Sequence, residues 1–522
     1  MTPNAQFDLT REWDVVIVGT GMGGATLGYA LARQGLAVLF LERGTTVPAA
    51  LQEADPVTPE ERLARGWWPH PMTRLYADGR RERLFAAVGC ARGGSTIHYA
   101  AALERMAASD FESLQTESGW LPSWPVPYEE FSAYYESAEG LYGLSPKGEA
   151  SEDQTLSEWD QALMSAMRQN GLKPERLRVA IRYDKECQEC IGRVCPRGCK
   201  ADARTTCLDP ALLNPSCQIL DECEVLTLDA DRTRVRCIRA VYRGQPVELR
   251  ARVVVLSAGA LHSPQILLRS RNDYWPEGLA NGSGQVGRNL MFHTSDLYAL
   301  WAPRRLDRNG RQRKSISVRD FYSVDGRRLG YVQSMGLDAG RGNIAAFLKD
   351  QLRHYGLHNE TILSLIVKLP SHLASWALGD ASIFAAMTED DPNPDNRIVL
   401  DPEQPNGASF VYRITEDLRQ RADALRDAFA RHVRPWRLIR LSPSLSMNYG
   451  HPCGTCRFGD DPGTSVLDRN NRAHAIDNLY VVDASFMLRS GAVNPSLTIA
   501  ANALRCAPAI ARSARNIQPS SN

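Results

Sequence analysis

The most constraining stretch of this chain lies near its start. Asp14-Val-Val-Ile-Val18 is a short, uninterrupted apolar run, the pattern of a strand buried on both faces of a parallel sheet. It passes directly into Gly19-Thr-Gly21-Met-Gly-Gly24 and then an Ala- and Leu-rich helical stretch to about Gln34, which Gly35 ends. Ala37–Leu41 is a second apolar strand, and Glu42 closes it, 18 residues after Gly24. Strand, glycine turn, helix, strand and acid together predict a dinucleotide site. The glycines let the backbone turn tightly and approach a pyrophosphate. The helix N-terminus offers free N–H groups and a positive dipole end, and the acid accepts hydrogen bonds from ribose hydroxyls. Glu42 would repel a 2′-phosphate. A bare GxGxxG also occurs as an ordinary tight loop; the flanking strands, helix and acid set this one apart.

The 522 residues allow one to three domains with a sizeable core. Hydrophobic residues make up 43% and charged residues 23%, ordinary for a soluble globular chain. Lys and Arg number 61 against 60 for Asp and Glu, so the basic excess expected of a nucleic-acid binder is missing. The start, MTPNAQFDLTREWD, has no basic and apolar leader, and uninterrupted apolar runs such as Val15–Val18 and Val253–Leu256 are strand-length. The expectation is a cytoplasmic protein with no transmembrane segment.

A second glycine-rich segment runs from Gly89 through Gly93-Gly94-Ser95-Thr96-Ile-His98 to Tyr99. Arg252–Ala258 reads as another buried strand that turns at Gly259 into a helix over Gln265–Arg269. From about 296 to 445 the pattern alternates, as in Ser315–Val318 and Tyr331–Met335, with a long helical stretch over Thr415–His432. The expected fold is α/β: a Rossmann-like domain, discontinuous in sequence, with a second, α+β substrate domain built on a mainly antiparallel sheet. The expected boundaries are 9–110 for the first part of the cofactor domain and 111–204 for a connecting, Cys-rich segment. Its second part is 205–295, the substrate domain 296–445, and its third part, with the chemistry, 446–515.

The last 75 residues hold His451-Pro-Cys-Gly454-Thr-Cys456, Val481-Val-Asp483-Ala484-Ser485 and Val493-Asn494-Pro495, the last opening an Ala-rich helix. Pro495 suits a helix N-terminus, whose positive end could face an electron-rich ring. Asn494 also reads as a helix cap, and His451 as a loop histidine.

Taken together, these motifs resemble the glucose–methanol–choline family of flavin oxidoreductases. The resemblance covers most of the chain. It rests on GTGMGG with Glu42, GGSTIH, Trp124–Tyr128 to Tyr134-Tyr135, Gly259–Pro264, Val286-Gly-Arg-Asn-Leu-Met-Phe-His293, Pro394–Arg397 and the HxxGTC…VVDAS…VNP tail. Residues 296–390 carry little of it. The resemblance implies FAD, with Gly19, Gly21, Gly24, Glu42, Gly93, Gly94, Ser95, Thr96, His98, Val225, Asp483, Ala484, Asn494 and Pro495 about it. It also implies hydride transfer from an alcohol carbon to flavin N5, with His451 as general base and Asn494 holding the alcohol oxygen. Asn at position 494 matches the branch resembling sterol oxidases and bacterial sugar dehydrogenases, so the expected substrate is a secondary hydroxyl of a sugar, glycoside or cyclitol. The electron acceptor is expected to be a protein, a quinone or oxygen, the last making an oxidase, and a small accessory subunit is conceivable. His98 occupies the position through which some members hold FAD covalently; a non-covalent, buried His98 is the plainer reading.

Five of twelve cysteines crowd between 187 and 207: Cys187, Cys190, Cys195, Cys199 and Cys207. Three readings stay open: an iron–sulfur cluster, a zinc site, and plain thiols or a disulfide. The spacing from Cys190 to Cys199 resembles the iron–sulfur segment of bacterial flavin sugar dehydrogenases, except that Glu189 stands where those have a cysteine. A cluster would pass electrons onward and favour a dehydrogenase over an oxidase. Trp376, Phe384 and Tyr412 are candidates for lining the substrate site.

Overall fold

In the computed structural model the opening apolar run is strand β1 (Glu12–Val18), followed by helix α1 (Met22–Ala32) and strand β2 (Val38–Leu41). The structure describes residues 8–48, 59–86, 88–116, 119–144, 156–184, 186–301, 313–336, 359–379, 381–404, 407–442 and 445–517, and within 337–358 only 344, 345, 348, 349, 352 and 357.

β1 lies inside the sheet, and Val15, Val16 and Ile17 are wholly buried. It pairs in parallel with β2, Val15 opposite Val38, and with the long strand β3 (Gln245–Leu256), Val15 opposite Val253. Cys217–Leu220 continues the parallel set beyond β2, and Leu479–Val481 pairs in parallel with the end of β3. Burial on both faces explains why these strands read as continuous apolar runs. β3 is 12 residues long and does two jobs. Its second half belongs to the parallel core, while its first half pairs antiparallel with Val235–Tyr242, which pairs in turn with Cys223–Ala230.

The expected second sheet is present, with six strands paired antiparallel throughout. Its order is Arg437–Arg440, Asp296–Trp301, Ser382–Met387, Tyr331–Ser334, Ile316–Val318 and Pro174–Arg176. The strand Pro174–Arg176 has three residues, too few for any periodicity to reveal it. Helix Glu416–His432 is capped by Thr415, whose Oγ1 accepts from Leu418 N–H at 3.2 Å. It buries Leu425, Ala428 and Phe429 in one cluster with Tyr298 and Phe384 of the sheet and with Phe321 of the turn after Ile316–Val318.

Where the chain crosses between the two sheets, Met291–Thr294 pairs antiparallel with Met447–Cys453. A register shift between Met291 and His293 marks a bulge in this ribbon. The ribbon carries both His293 and His451.

Helices Glu360–Ile366 and Lys368–Leu378 follow one another and contain Thr361–Leu378, long and apolar enough by length and composition to cross a membrane, with mean hydropathy 1.3. Counting uninterrupted apolar runs overlooks this stretch, because Ser364, Lys368, Ser371, His372 and Ser375 punctuate it.

Candidate active site

The glycine turn at the end of β1 opens a cleft. It is lined by Gly19, Gly21, Glu42, Gly94, Ser95, Thr96, Val225, Asp483 and Ala484, brought together from four distant stretches of sequence. Gly19 has φ +95°, and a Cβ there would collide with the Ser257 carbonyl. Gly24 does not line the cleft; a Cβ there would strike the Gly19 carbonyl. Gly21 is different. A Cβ on Gly21 would meet only Gly94 Cα, at 4.0 Å. Nothing in the chain demands glycine at position 21, so the demand comes from what enters the cleft.

Glu42 is buried and held in place. One carboxylate oxygen accepts from Thr20 N–H at 3.1 Å and Thr20 Oγ1 at 2.6 Å; the other accepts from Gly44 N–H at 3.0 Å. Burial pushes its pKa up, and these hydrogen bonds pull the other way. Gly93 has φ +92° and donates its N–H to Thr20 Oγ1 at 3.2 Å. That bond pins the second glycine segment against the first, and Ser95 Oγ, which accepts from Gly89 N–H at 3.0 Å, closes the second segment on itself. Asp483 accepts from Gly259 N–H at 2.9 Å, from Ser263 Oγ and from Ser485, and thereby fixes the turn after Leu479–Val481. Helix α2 (Ser496–Asn516) points its N-terminus at the cleft, which Ser496 and Ile499 line. The glycine turn, the seated acid and two helix N-termini fit a dinucleotide such as FAD.

At one end the cleft is lined by Gly450 and Pro452, which flank His451. His451 Nδ1 lies 3.0 Å from His293 Nδ1, and His293 Nε2 lies 2.5 Å from the Gly491 carbonyl. A carbonyl only accepts, so His293 carries its proton on Nε2. Burial depresses the pKa of both rings, His451 well below the usual 6.5, with His293 and Lys314 adding to the effect. Both are therefore neutral near pH 7, and His293 Nδ1 is an acceptor. His451 must then hold its proton on Nδ1, which leaves a lone pair on Nε2. Asn448 turns its amide nitrogen to the same ring, 3.3 Å from Nδ1 and 3.5 Å from Nε2, because its Oδ1 accepts from Gly450 N–H at 3.0 Å; with the proton on Nδ1 it can donate only to Nε2. Sequence reasoning quoted His293 within a motif but gave it no role. Its significance lies in cross-strand pairing, which only the fold supplies.

Asn494 lies three residues beyond Gly491. Pro495, not Asn494, occupies the cap of α2, and no side chain makes the capping bond. Asn494 Oδ1 is buried and meets no hydrogen-bond donor among the described residues. His98 packs against Trp68, ring centroids 5.5 Å apart, two residues beyond the cleft lining. Of the substrate-lining candidates, Trp376 is 86% exposed, Phe384 is buried in the antiparallel sheet core, and Tyr412 donates to Asp390 at 2.6 Å. None of these three places a side chain in the cleft.

The Cys-rich segment is fastened to the cofactor loop. Lys200 is almost wholly buried, and its ammonium donates to the carbonyls of Ile97 and Tyr99 on one side and of Cys190 and Arg193 on the other, at 2.6–3.1 Å. All the cysteines are free thiols. Cys195 and Cys199 sulfurs are 3.9 Å apart, and Cys190 hydrogen-bonds to Cys195. Cys207 lies elsewhere: its Sγ packs against Tyr142 Oη at 3.5 Å and Thr26 Oγ1 at 3.9 Å, in the interface beside α1. It follows the other four in sequence but is turned away by the helical segment Arg204–Leu208. Among the described residues no three His, Cys, Asp or Glu side chains are grouped to hold a metal ion. Cys207 thus stands apart from the other four cysteines, whereas Cys187, Cys190 and Cys199 each interact with Cys195.

Comparison with known proteins agrees with this geometry. The GMC oxidoreductase family model matches residues 13–295 and again 385–503. The 6'''-hydroxyparomomycin C oxidase of Streptomyces lividus is 29% identical, over 96% of this chain and 92% of that protein. The fructose dehydrogenase large subunit of Gluconobacter japonicus is 26% identical, over 96% of this chain and 98% of that one. A formate oxidase structure from Aspergillus oryzae RIB40 superposes with a TM-score of 0.70 at 16% identity, covering 98% of this chain and all of that one, a likeness of fold.

Proposed function

The chain belongs to the GMC oxidoreductase family, and from that membership we propose that it binds FAD in the glycine-lined cleft and oxidises an alcohol, with His451 as the base. The observation that carries this reading is the His293–His451 pair, set between the cleft-lining residues Gly450 and Pro452, which leaves His451 Nε2 as an unprotonated lone pair. FAD, when bound, supplies the hydride acceptor. His451 Nε2 takes the hydroxyl proton, and the Asn494 amide nitrogen, which holds no ionisable proton, donates to the alcohol oxygen and orients it. Glu42 would receive ribose hydroxyls, and the N-termini of α1 and α2 would face the negative charge of the cofactor. His98 would lie near the flavin without serving as its covalent tether.

The substrate class is a hydroxyl of a sugar, glycoside or cyclitol. Support comes from relatives whose names place them on an aminoglycoside and on fructose. The test is anaerobic titration of the yellow protein with a panel of such polyols: the flavin absorbance bleaches with the right class. A colourless protein, or one active only with added NAD, refutes the proposal. Peroxide formed in air, against dye reduced under nitrogen, separates oxidase from dehydrogenase.

A further inference from the structure

His293 has two supports that lie far apart in the chain: its own strand, and the Gly491 carbonyl that accepts from its Nε2 at 2.5 Å. One buried carboxylic acid reaches both. Asp390 is 3% exposed, and its Oδ2 accepts from the Tyr412 hydroxyl at 2.6 Å and from Phe292 N–H at 3.4 Å. Phe292 precedes His293 and is passed over in the pairing of the bulged ribbon, so its N–H needs an acceptor from elsewhere. The Asp390 backbone serves the other support. Its N–H donates to Ser490 Oγ at 2.9 Å, and the same hydroxyl donates back to the Asp390 carbonyl at 3.0 Å. Ser490 directly precedes Gly491.

We propose that Asp390 is a positioning residue, a buried spacer that fixes His293 against the Gly491 carbonyl and thereby sets the proton order of the His293–His451 pair. The role presupposes that His451 is the base. The type of residue supports it. A carboxyl is costly to bury, and an apolar side chain of similar size would pack here at less cost. Only an accepting oxygen, however, satisfies Phe292 N–H and the Tyr412 hydroxyl together. A pair that merely stapled two strands would stop at Tyr412. The further contacts of Asp390, to Phe292 and Ser490, each end one residue from His293 or its acceptor. Its part is to accept hydrogen bonds rather than to carry charge. Burial pushes the Asp390 carboxyl up to about 7, with Tyr412, Phe292 and Arg421 opposing the rise and Asp391 adding to it. Either protonation state keeps an oxygen for Tyr412.

The experiment follows the ring proton that His293 shares with the Gly491 carbonyl, by NMR of the FAD-loaded protein labelled with nitrogen-15 histidine. The chain has ten histidines, and the downfield resonance that His293→Leu removes identifies this proton. Asp390→Ala should let it exchange with water and lose the resonance. Flavin reduction should slow about 10- to 100-fold, with KM and FAD affinity little changed. Asp390→Asn keeps the accepting oxygen and should restore the resonance and most of the rate. A resonance that survives in Asp390→Ala overturns the proposal, and so does Asp390→Asn falling as far as Asp390→Ala. Should Asp390→Ala not fold, Ser490→Ala decides: it leaves the carboxyl in place and should lose the same resonance, and wild-type behaviour there overturns the proposal. A lost resonance with an undiminished rate is read against His451→Ala. If that variant also reduces flavin normally, the base assignment has failed and the hold of Asp390 on His293 stands; if it does not, Asp390 has no part in the reaction.

Discussion

His293 and His451 face each other at 3.0 Å across a two-stranded ribbon, and the far side of His293 is tied to the Gly491 carbonyl. The proton order that follows makes His293 a positioning residue for the His451 base. Replacing His293 by Leu removes the acceptor that selects the His451 tautomer. Turnover should fall about 10- to 100-fold, with KM little changed and the acid limb of the pH–rate profile displaced. A purely structural role would lower folded yield but leave that limb in place.

His451→Ala should cost on the order of 10²–10⁴ in turnover while the protein stays yellow. Stopped-flow flavin reduction is the measurement, because it reads the chemical step directly. Undiminished reduction in this variant removes His451 from the mechanism.

The pH dependence has a definite sign. The base works when neutral, and its folded pKa lies well below 6.5. Activity should therefore hold as pH drops through 6.5 and fall only in more acid solution. Stability behaves differently. In the unfolded chain His293, His451 and His262 take up protons near pH 6.5, whereas in the fold burial resists this, and His262 is pushed down to about 3. Protonation thus favours the unfolded state below pH 6.5, and Tm should decline from there towards pH 3 while activity per folded molecule persists.

Gly19 and Gly21 stand two residues apart and should respond oppositely. Gly19→Ala must displace the Ser257 carbonyl at a positive φ, so the cofactor-free protein should lose about 1–3 kcal/mol of stability. Gly21→Ala meets only Gly94 Cα at 4.0 Å, so the cofactor-free protein should melt as wild type yet bind FAD far more weakly. Melting curves with and without added FAD separate the two.

Much of this was legible in the sequence because it is local. β1, the glycine turn, α1, β2 and Glu42 form one continuous segment whose apolar period, turn residues and acid each carry their own signal. Thr415 announced its helix in the same way. The parts that escaped depend on distant partners. His293 matters through a bulged pairing with residues about 150 positions away, and no local pattern marks that. Cys207 shared a spacing with its neighbours, but a helical turn carries it to Tyr142 and Thr26. Residues 360–378 misled for another reason: polar residues broke the apolar run while the fold turned the large side chains outwards.

Lys200→Met should separate the cofactor loop from the Cys-rich segment. Four carbonyls lose an ammonium donor, and the expected loss is on the order of 3 kcal/mol in urea unfolding, with faster FAD release at neutral pH. Fluorescence of freed flavin follows the second effect.

The cofactor sheet begins at Glu12 and takes its last strand from Leu479–Val481. A ribosome has therefore translated all the chain between them before β3 can receive that final neighbour. Until then the growing chain holds half-paired apolar strands, the state in which aggregation competes with folding. FAD cannot act as an early template for such a polypeptide, because Asp483, Ala484 and the start of α2, which wall the cleft, emerge last. A dinucleotide would therefore meet a cleft only after its last walls, Asp483, Ala484 and Ser496, have been made.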